Sequence, residues 1–549
     1  MEERDRERIA EILKGLVACP GISCTKDEVI TEKFVYDFLS EIPYLKKHPD
    51  QFGYCDIPDD PYGRKVPYAV ILGKSRNTVV MSGHIDVVSV EVYGEAAPLA
   101  FTVGKELEEA LAKMPLDDKS RADLESGEWI WGRGAADMKG GIAIAMYLVE
   151  KYADLADKGE LEGSIVFDAV ADEESYSAGM RAFAPELVRI KNKYELDYKL
   201  LVDPEPAGES GDAQVMSLGT VGKTMPVIIS QGVAAHIGHC YNGISALNTL
   251  SHIFSETQGS LDFVDVYKDE SSMPPSWQGF RDMKKFYDAT TPFRASGYMT
   301  VLSFDKTADE IIAMLKDIAV RAADAELRKL NDEYTEFKKH NHFETKEKLD
   351  YPARVLTVRE LIAELTARDG ADFTAAFEKI YEKAGGMVAE GSSFPDATIY
   401  LMDELLNYAD IKQPVVLIGM APPYYPPTHS DLIPGKEGFG TKVFEFAKEL
   451  SEREFGQKLV SENYFTGISD NSYTYLPDID FDAVAANYPM WGKVYDLDLN
   501  AIKELSIPSV LYGPIGRNYH QWTERVNKHS LLDVMPVMID KVIRFAWDA

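Results

Sequence analysis

Short, almost uninterrupted apolar runs recur along the chain, most of them leading into a polar cluster. They are NTVVMSGHIDVV (77–88), GSIVFDAVA (163–171), YKLLVD (198–203), QPVVLIGM (413–420) and IPSVLYGP (507–514). Strands apolar on both faces are satisfied only in a sheet that is covered on both sides. Stretches with helical spacing lie between them, near 26–40, 140–155, 178–190, 439–454 and 530–546. The predicted fold is therefore α/β, with a layered and largely buried sheet. In such sheets loops converge at the carboxyl ends of the strands, and sites are built there.

A chain of 549 residues is too long for one ordinary core. The pattern changes after PAGESGDAQ (206–214), a Gly, Pro and acid-rich connection. Strand KTMPVIISQG (223–232), helix ISALNTLSHIFSE (244–256), strand GYMTVLSF (297–304), a long charged helix near 307–336 and strand ARVLTV (353–358) follow. These predict a smaller α+β unit, 212–358, inserted into a larger discontinuous unit made of 1–211 and 359–549. Segments 257–296 and 371–410 are extra to that scheme.

The content of 45% hydrophobic and 27% charged residues is that of a soluble globular protein. No apolar run nears the roughly 18 residues needed to cross a bilayer. The N-terminal MEERDRERIAEILKGLV carries Ile9, Ile12, Leu13 and Leu16 on one helical face and has no signal-peptide core. A cytoplasmic location is the expectation. Cys19, Cys24, Cys55 and Cys240 form no disulfide framework or paired CxxC. A net charge of −32 argues against nucleic acid and anionic membrane as partners, since both need a basic footprint.

The polar clusters carry the chemistry. GHIDVV sets His84 and Asp86 on the same side of an extended strand, where Asp86 can hold one imidazole nitrogen while the other faces a metal. GRGAADMKGG sets Asp137 before an apolar helix, as either a cap or a ligand. The adjacent acids of ADEES, Glu173 and Glu174, point different ways, so one can ligate while its neighbour faces a bound water. LLVDPEP offers Asp203 and Glu205, and GPIGRNYHQWTERV offers His520. Each cluster alone has an ordinary structural explanation. Together they make a mixed nitrogen and oxygen donor set suited to Zn²⁺, Mn²⁺ or Co²⁺. Its size suits two ions sharing a carboxylate better than one catalytic zinc with three protein ligands. No GxSxG elbow supports a serine hydrolase and no GxxxxGK[ST] a phosphate loop.

In this order, the clusters resemble the motifs of the dinuclear-zinc family that includes carboxypeptidase G, aminoacylase-1, acetylornithine deacetylase and succinyl-diaminopimelate desuccinylase. Within it, GTVGKTMPVIISQGVAAHIGHCYNGISALN and VVLIGMAPPYYP are most similar to the longer arginine-utilisation (RocB-type) proteins. The resemblance implies a phosphorylase/hydrolase-like catalytic domain with an inserted dimerisation-type lid, and a homodimer through that lid. It implies that Asp137 bridges two zinc ions, with Co or Mn as alternatives. His84 and Asp203 would complete one site, and Glu174 and His520 the other. Glu173 would be the general base, Asp86 the partner of His84, and His236 a lid residue for the substrate carbonyl. The family commonly has Glu-Pro where this chain has Asp203-Pro204, so Glu205 is the alternative ligand. SDN at 469–471 resembles a substrate-side loop, which marks Ser469 and Asp470. Arg294 is a candidate for gripping a substrate carboxylate. His239 is expected to be structural, Arg517 has no clear role, and Asp172 is expected to be a structural or surface carboxylate.

The expected activity is metal-dependent hydrolysis of an amide or peptide bond in an amino-acid-derived small molecule, an N-acyl amino acid or short peptide, with a link to arginine utilisation. The rival from another class is a non-catalytic metabolite-binding protein of the same fold. A binder has no need of Glu173 beside Glu174. A two-metal nuclease or phosphatase lacks the basic cluster that would grip phosphate.

Overall fold

The computed structural model describes residues 1–211, 213–340 and 348–549. They form two compact units, one of Met1–Thr220, Pro426–Pro477 and Asp498–Ala549, the other of Val221–Tyr425 and Asp478–Leu497.

The first unit is built on the expected buried sheet. Its strands lie in the spatial order Phe52–Asp56, Lys65–Ile71, Ser164–Asp168, Asn77–Met81, Asp197–Asp203, Ser509–Leu511, Ala213–Ser217, Lys458–Glu462. Asn77–Met81 runs parallel to both Ser164–Asp168 and Asp197–Asp203, and Ser509–Leu511 is parallel to the latter. The carboxyl ends of these strands therefore lie along one edge. Helix Lys139–Asp157 is buried over most of its length and packs with Glu3–Ala18, whose Ile9, Ile12, Leu13 and Leu16 close one face of the core. Val443, Ala447, Val542 and Ile543, from helices Phe439–Phe455 and Met535–Asp548, belong to the same apolar cluster.

The second unit has its own sheet, in the order Ser276–Asp282, Arg294–Ser303, Gly222–Gln231, Val415–Tyr425, Arg354–Thr357. Helices Ala246–Thr257 and Ala308–Lys338 pack with this sheet, and Phe394–Ala409 lies against its central strands through Leu401, Met402 and Leu405. Thr307 and Glu310 form a reciprocal cap that starts the long helix where the charged pattern begins.

The boundaries of this unit differ from the expected 212–358. Residue 212 lies outside the described residues, and the unit extends to Tyr425 and takes in 478–497. The strand read as a return to the catalytic sheet, 413–420, instead runs antiparallel to Gly222–Gln231 and parallel to Arg354–Thr357. An apolar strand after a helix has the same one-dimensional pattern in either sheet, and pairing partners leave no mark in that pattern. Of the extra segments, 371–410 supplies helices Ala371–Ala389 and Phe394–Ala409, and 257–296 supplies the edge strand Ser276–Asp282.

Candidate metal centre

His84 lies just beyond strand Asn77–Met81 and makes a parallel bridge with Val170, beyond the neighbouring strand. This carries the parallel register past the strand ends and brings His84 beside Glu173 and Glu174. Asp86 secures the junction. Its carboxylate accepts the Ser23 hydroxyl at 2.6 Å and the N–H groups of Glu173 and Glu174 at 3.1 and 3.2 Å. His84 Nδ1 lies 3.0 Å from the Asp86 carbonyl, which places a proton on Nδ1 and turns Nε2 towards the acids. Burial opposes ionisation of Asp86, but His84, Ser23 and the Glu173 N–H hold it below the usual carboxylate range.

Asp137 sits in a turn whose Gly132 and Gly134 have φ of 150° and 76°, values that a side chain rarely tolerates. It is not the helix cap that its position allowed, because the helix begins at Lys139 with Met138 before it. Instead Asp137 lies between the two imidazoles, with Oδ1 3.2 Å from His84 Nε2 and Oδ2 3.2 Å from His520 Nε2. His520 Nε2 is also 3.0 Å from Glu174 Oε2. On the other side, His84 Nε2 is 3.4 Å from Glu205 Oε1 and 4.0 Å from Glu173 Oε2. Two donor clusters thus meet at one carboxylate: His84 with Glu205, and His520 with Glu174, Asp137 shared.

Glycines set the path of the Asp203–Glu205 segment. A Cβ on Gly141 would lie 2.0 Å from the Pro204 carbonyl oxygen, and one on Gly513 would lie 2.1 Å from it. The chain passes between these two close approaches, and Glu205 rather than Asp203 emerges beside His84. Asp203 turns to Ser469, whose hydroxyl donates to its Oδ2 at 3.0 Å. The preference for Asp203 over Glu205 is thereby reversed in the geometry. Strand alternation decides this, since positions 203 and 205 share a direction only while the chain stays extended.

Like charges crowd this edge. Burial pushes Glu173 well above the usual carboxyl range, with Asp470 and Glu205 adding to the effect, and it pushes Glu174 up to about 7. Hydrogen bonds to Asp137 and Glu174 raise His520 to about 10. Burial opposes ionisation of Asp137, yet the two imidazoles hold it well below the ordinary range. Nitrogen and oxygen donors from His84, Asp137 and Glu174, and from His84, Glu173 and Glu205, fall within 4.8 Å of one another in each set. Closely spaced buried carboxylates of this kind are relieved by cations, and the mixed donors suit divalent transition-type ions.

The sequence profile of the peptidase family M20/M25/M40 matches residues 80–473, most of the chain and all of the strand-end clusters except that of His520. The chain belongs to this family. It is a hydrolase of amide or peptide bonds. RocB of Bacillus subtilis (strain 168) is 27% identical over 542 residues, covering 97% of this chain and 94% of that protein. The uncharacterized protein YqjN of the same strain is 28% identical over 549 residues, covering 99% and 97%. The crystal structure of aminopeptidase PepT from Bacillus cereus ATCC 10987 covers 98% of both chains with a TM-score of 0.54 at 14% identity, a likeness of fold. The expected α/β catalytic domain with an inserted smaller domain is the architecture of this M20 chain.

Several candidate residues take other parts. Arg294 is buried in the second unit, bonding Gln231, Asp403 at 2.5 Å and Asn407 at 2.6 Å, so its guanidinium is committed inside that unit. Ser469 is fully buried and spent on Asp203; Asp470 is buried too, and burial raises its carboxyl to about 7. His236 is exposed in the second unit, its Nδ1 accepting the Gly238 N–H at 3.0 Å, and His239 is exposed beside it. Arg517 pairs with Asp123 and Glu209 over the Trp129 ring, a structural role. Asp172 is not at the surface: with Glu28 and Asp60 it surrounds the buried Arg64 guanidinium, each at 2.7 Å.

Sequence reasoning missed Arg64, Glu28, Arg133 and Lys139 as supports. Their signal was weak, because a charge among apolar neighbours reads as surface until its partners, tens or hundreds of residues away, are known. Glu524 is the acid of HQWTE, a stretch that falls on the family's motifs, but its tie to the Asp137 turn leaves no mark in the sequence.

Proposed function

We propose that the chain is a two-cation amide hydrolase acting on an amino-acid-derived small molecule, an N-acyl amino acid or short peptide. The observation that carries this is the Asp137 carboxylate set between two imidazoles, each with a further glutamate, and Glu173 beside them. His84, Asp137 and Glu205 would hold one ion, and His520, Asp137 and Glu174 the other. Zinc is the best match to the donors, with cobalt or manganese as substitutes. When bound, such ions polarise the scissile carbonyl and make water acidic enough to ionise near neutrality.

Glu173 is the general base. Its N–H is anchored on Asp86, so the carboxylate is held by its own turn. It takes the proton from the attacking water and returns it to the departing nitrogen. Asp86 keeps the Nδ1 proton of His84 in place and so fixes the tautomer whose Nε2 is a lone-pair donor. His236 is assigned to the carbonyl oxygen of the substrate, and the inserted unit to homodimer contacts, by the sequence resemblance. The same resemblance, and the near full-length likeness to RocB, support a place in arginine utilisation.

The test is turnover by chelator-treated and metal-reconstituted protein on N-acyl amino acids, dipeptides and N-carbamoyl amino acids. Hydrolysis that disappears on chelation and returns with Zn²⁺, Co²⁺ or Mn²⁺ is the expected result. Ligand-induced melting shifts with no turnover anywhere in the panel would replace the enzyme by a binder.

A further inference from the structure

The antiparallel pairing of Trp129–Trp131 with Arg525–Asn527 sets the Asp137 turn beside the His520 loop. Beyond that ladder the two loops are joined by one buried ion pair. Arg133 Nη1 lies 2.5 Å from Glu524 Oε2, and both side chains are 1% exposed. The connections are reciprocal. Arg133, four residues before Asp137, donates from Nη2 to the carbonyl of His520 at 3.1 Å, and to that of Ser89 at 3.3 Å. Glu524, four residues after His520, accepts at Oε1 the N–H groups of Ala136 and Asp137, each at 3.2 Å. The Tyr93 ring closes the other side of the guanidinium, its centroid 5.3 Å from Cζ.

A buried ion pair is a poor device for stability, because desolvation offsets most of its attraction. Its geometry, however, is strict. The pair grips the backbone of each of two proposed ligands from the side of the other. His520 needs such a grip, for its φ of 62° is one that a histidine seldom adopts unaided. Its side chain is also 54% exposed, so packing does little to fix it.

We propose that Arg133 and Glu524 are positioning residues, a reciprocal clasp that sets the spacing of Asp137 and His520 and so the affinity of the cation between them. This rests on the two-cation reading above. Neither residue touches substrate.

The test uses the full chain, stripped with a chelator and titrated calorimetrically with Zn²⁺. Co²⁺ serves as a second probe, because its visible absorption follows coordination geometry. The variants are Glu524→Gln, Arg133→Lys, Arg133→Met and the double variant Arg133→Met with Glu524→Gln. Wild type is expected to bind two ions. Glu524→Gln should keep its circular dichroism yet bind the weaker ion about 10–100-fold less tightly, with an altered Co²⁺ spectrum. Arg133→Lys should fall between wild type and Arg133→Met, and the double variant should lose no more than the worse single one. If Arg133→Met does not fold, the volume-preserving Glu524→Gln and Arg133→Lys carry the same comparison. Both ions held within about twofold of wild type by these two, with an unchanged spectrum, would overturn the clasp even if the melting temperature fell. Wild type that binds no ion would overturn the two-cation reading and the clasp together.

Discussion

Asp203 and Glu205 are two positions apart, and substituting each by its amide separates their roles. Glu205 Oε1 stands 3.4 Å from His84 Nε2, whereas Asp203 Oδ2 is hydrogen-bonded to Ser469 at 3.0 Å. Glu205→Gln keeps volume and shape but exchanges an anionic donor for a neutral one. Changes to residues around metal ligands cost about 10–100-fold in affinity, so loss of a direct donor should reach at least the upper figure, about 2.7 kcal/mol. Asp203→Asn should behave differently. Burial, reinforced by Glu205, pushes the Asp203 carboxyl well above the usual range, in the direction of the neutral form that Asn mimics. The amide oxygen can still accept from Ser469, and the expected change in metal affinity is under about threefold, less than ~1 kcal/mol. The assay is bound metal per chain after gel filtration, with calorimetric titration of the stripped protein. Asp203→Asn losing an ion while Glu205→Gln keeps both would refute the assignment and restore Asp203 as the ligand.

Glu173→Gln should lower kcat by about 10²–10⁴-fold, the span of general-base catalysis, with metal content unchanged because the backbone bond to Asp86 survives; activity close to wild type would remove Glu173 as the base. Arg64→Met leaves Glu28, Asp60 and Asp172 without their shared cation in a site at most 4% exposed. A loss of about 3–5 kcal/mol in denaturant unfolding is expected, and a loss below ~1 kcal/mol would show that the carboxylates are otherwise satisfied. Lys139 is fully buried, its ammonium donating to the carbonyls of Cys19 and Pro20, and burial lowers it from the ordinary 10.5 to about 8. Between those values the unfolded chain binds the proton that the folded chain has released, so stability from this group rises with pH. Thermal melts of wild type and Lys139→Met from pH 7 to 10.5 should diverge in favour of wild type above about 8; parallel curves would rule this out.

The catalytic sheet was legible because its strands are apolar on both faces and end in polar residues, a pattern that only a covered sheet explains. Ile165 to Val170 is the clearest case, buried throughout and leading directly into Asp172, Glu173 and Glu174. The extent of the inserted unit was not legible for the same reason. Val415–Tyr425 is equally buried along its whole length, and burial on two faces looks alike whether the neighbour is parallel or antiparallel. Register and pairing are properties of two strands at once, here separated by nearly two hundred positions, and no single stretch of sequence contains them.

The site divides along a similar line. Residues whose chemistry is local to a strand end, such as His84 with Asp86 or Glu173 with Glu174, could be grouped from spacing alone. Residues whose meaning depends on a partner could not. Arg294 was a plausible grip for a carboxylate until Asp403 and Asn407 were found to occupy its guanidinium. Asp172 was a third acid in a crowded turn until Arg64, 108 positions earlier, was found against it at 2.7 Å. Its cation is therefore a guanidinium, while Glu173 and Glu174 are left to the two imidazoles. Three adjacent carboxylates at the end of one buried strand are thus turned in two directions. The arginine takes the first and fixes the turn, and that fixed turn delivers the other two to the edge where the sheet's loops converge. Charge that would be intolerable as a cluster becomes a means of placing a base and a ligand side by side.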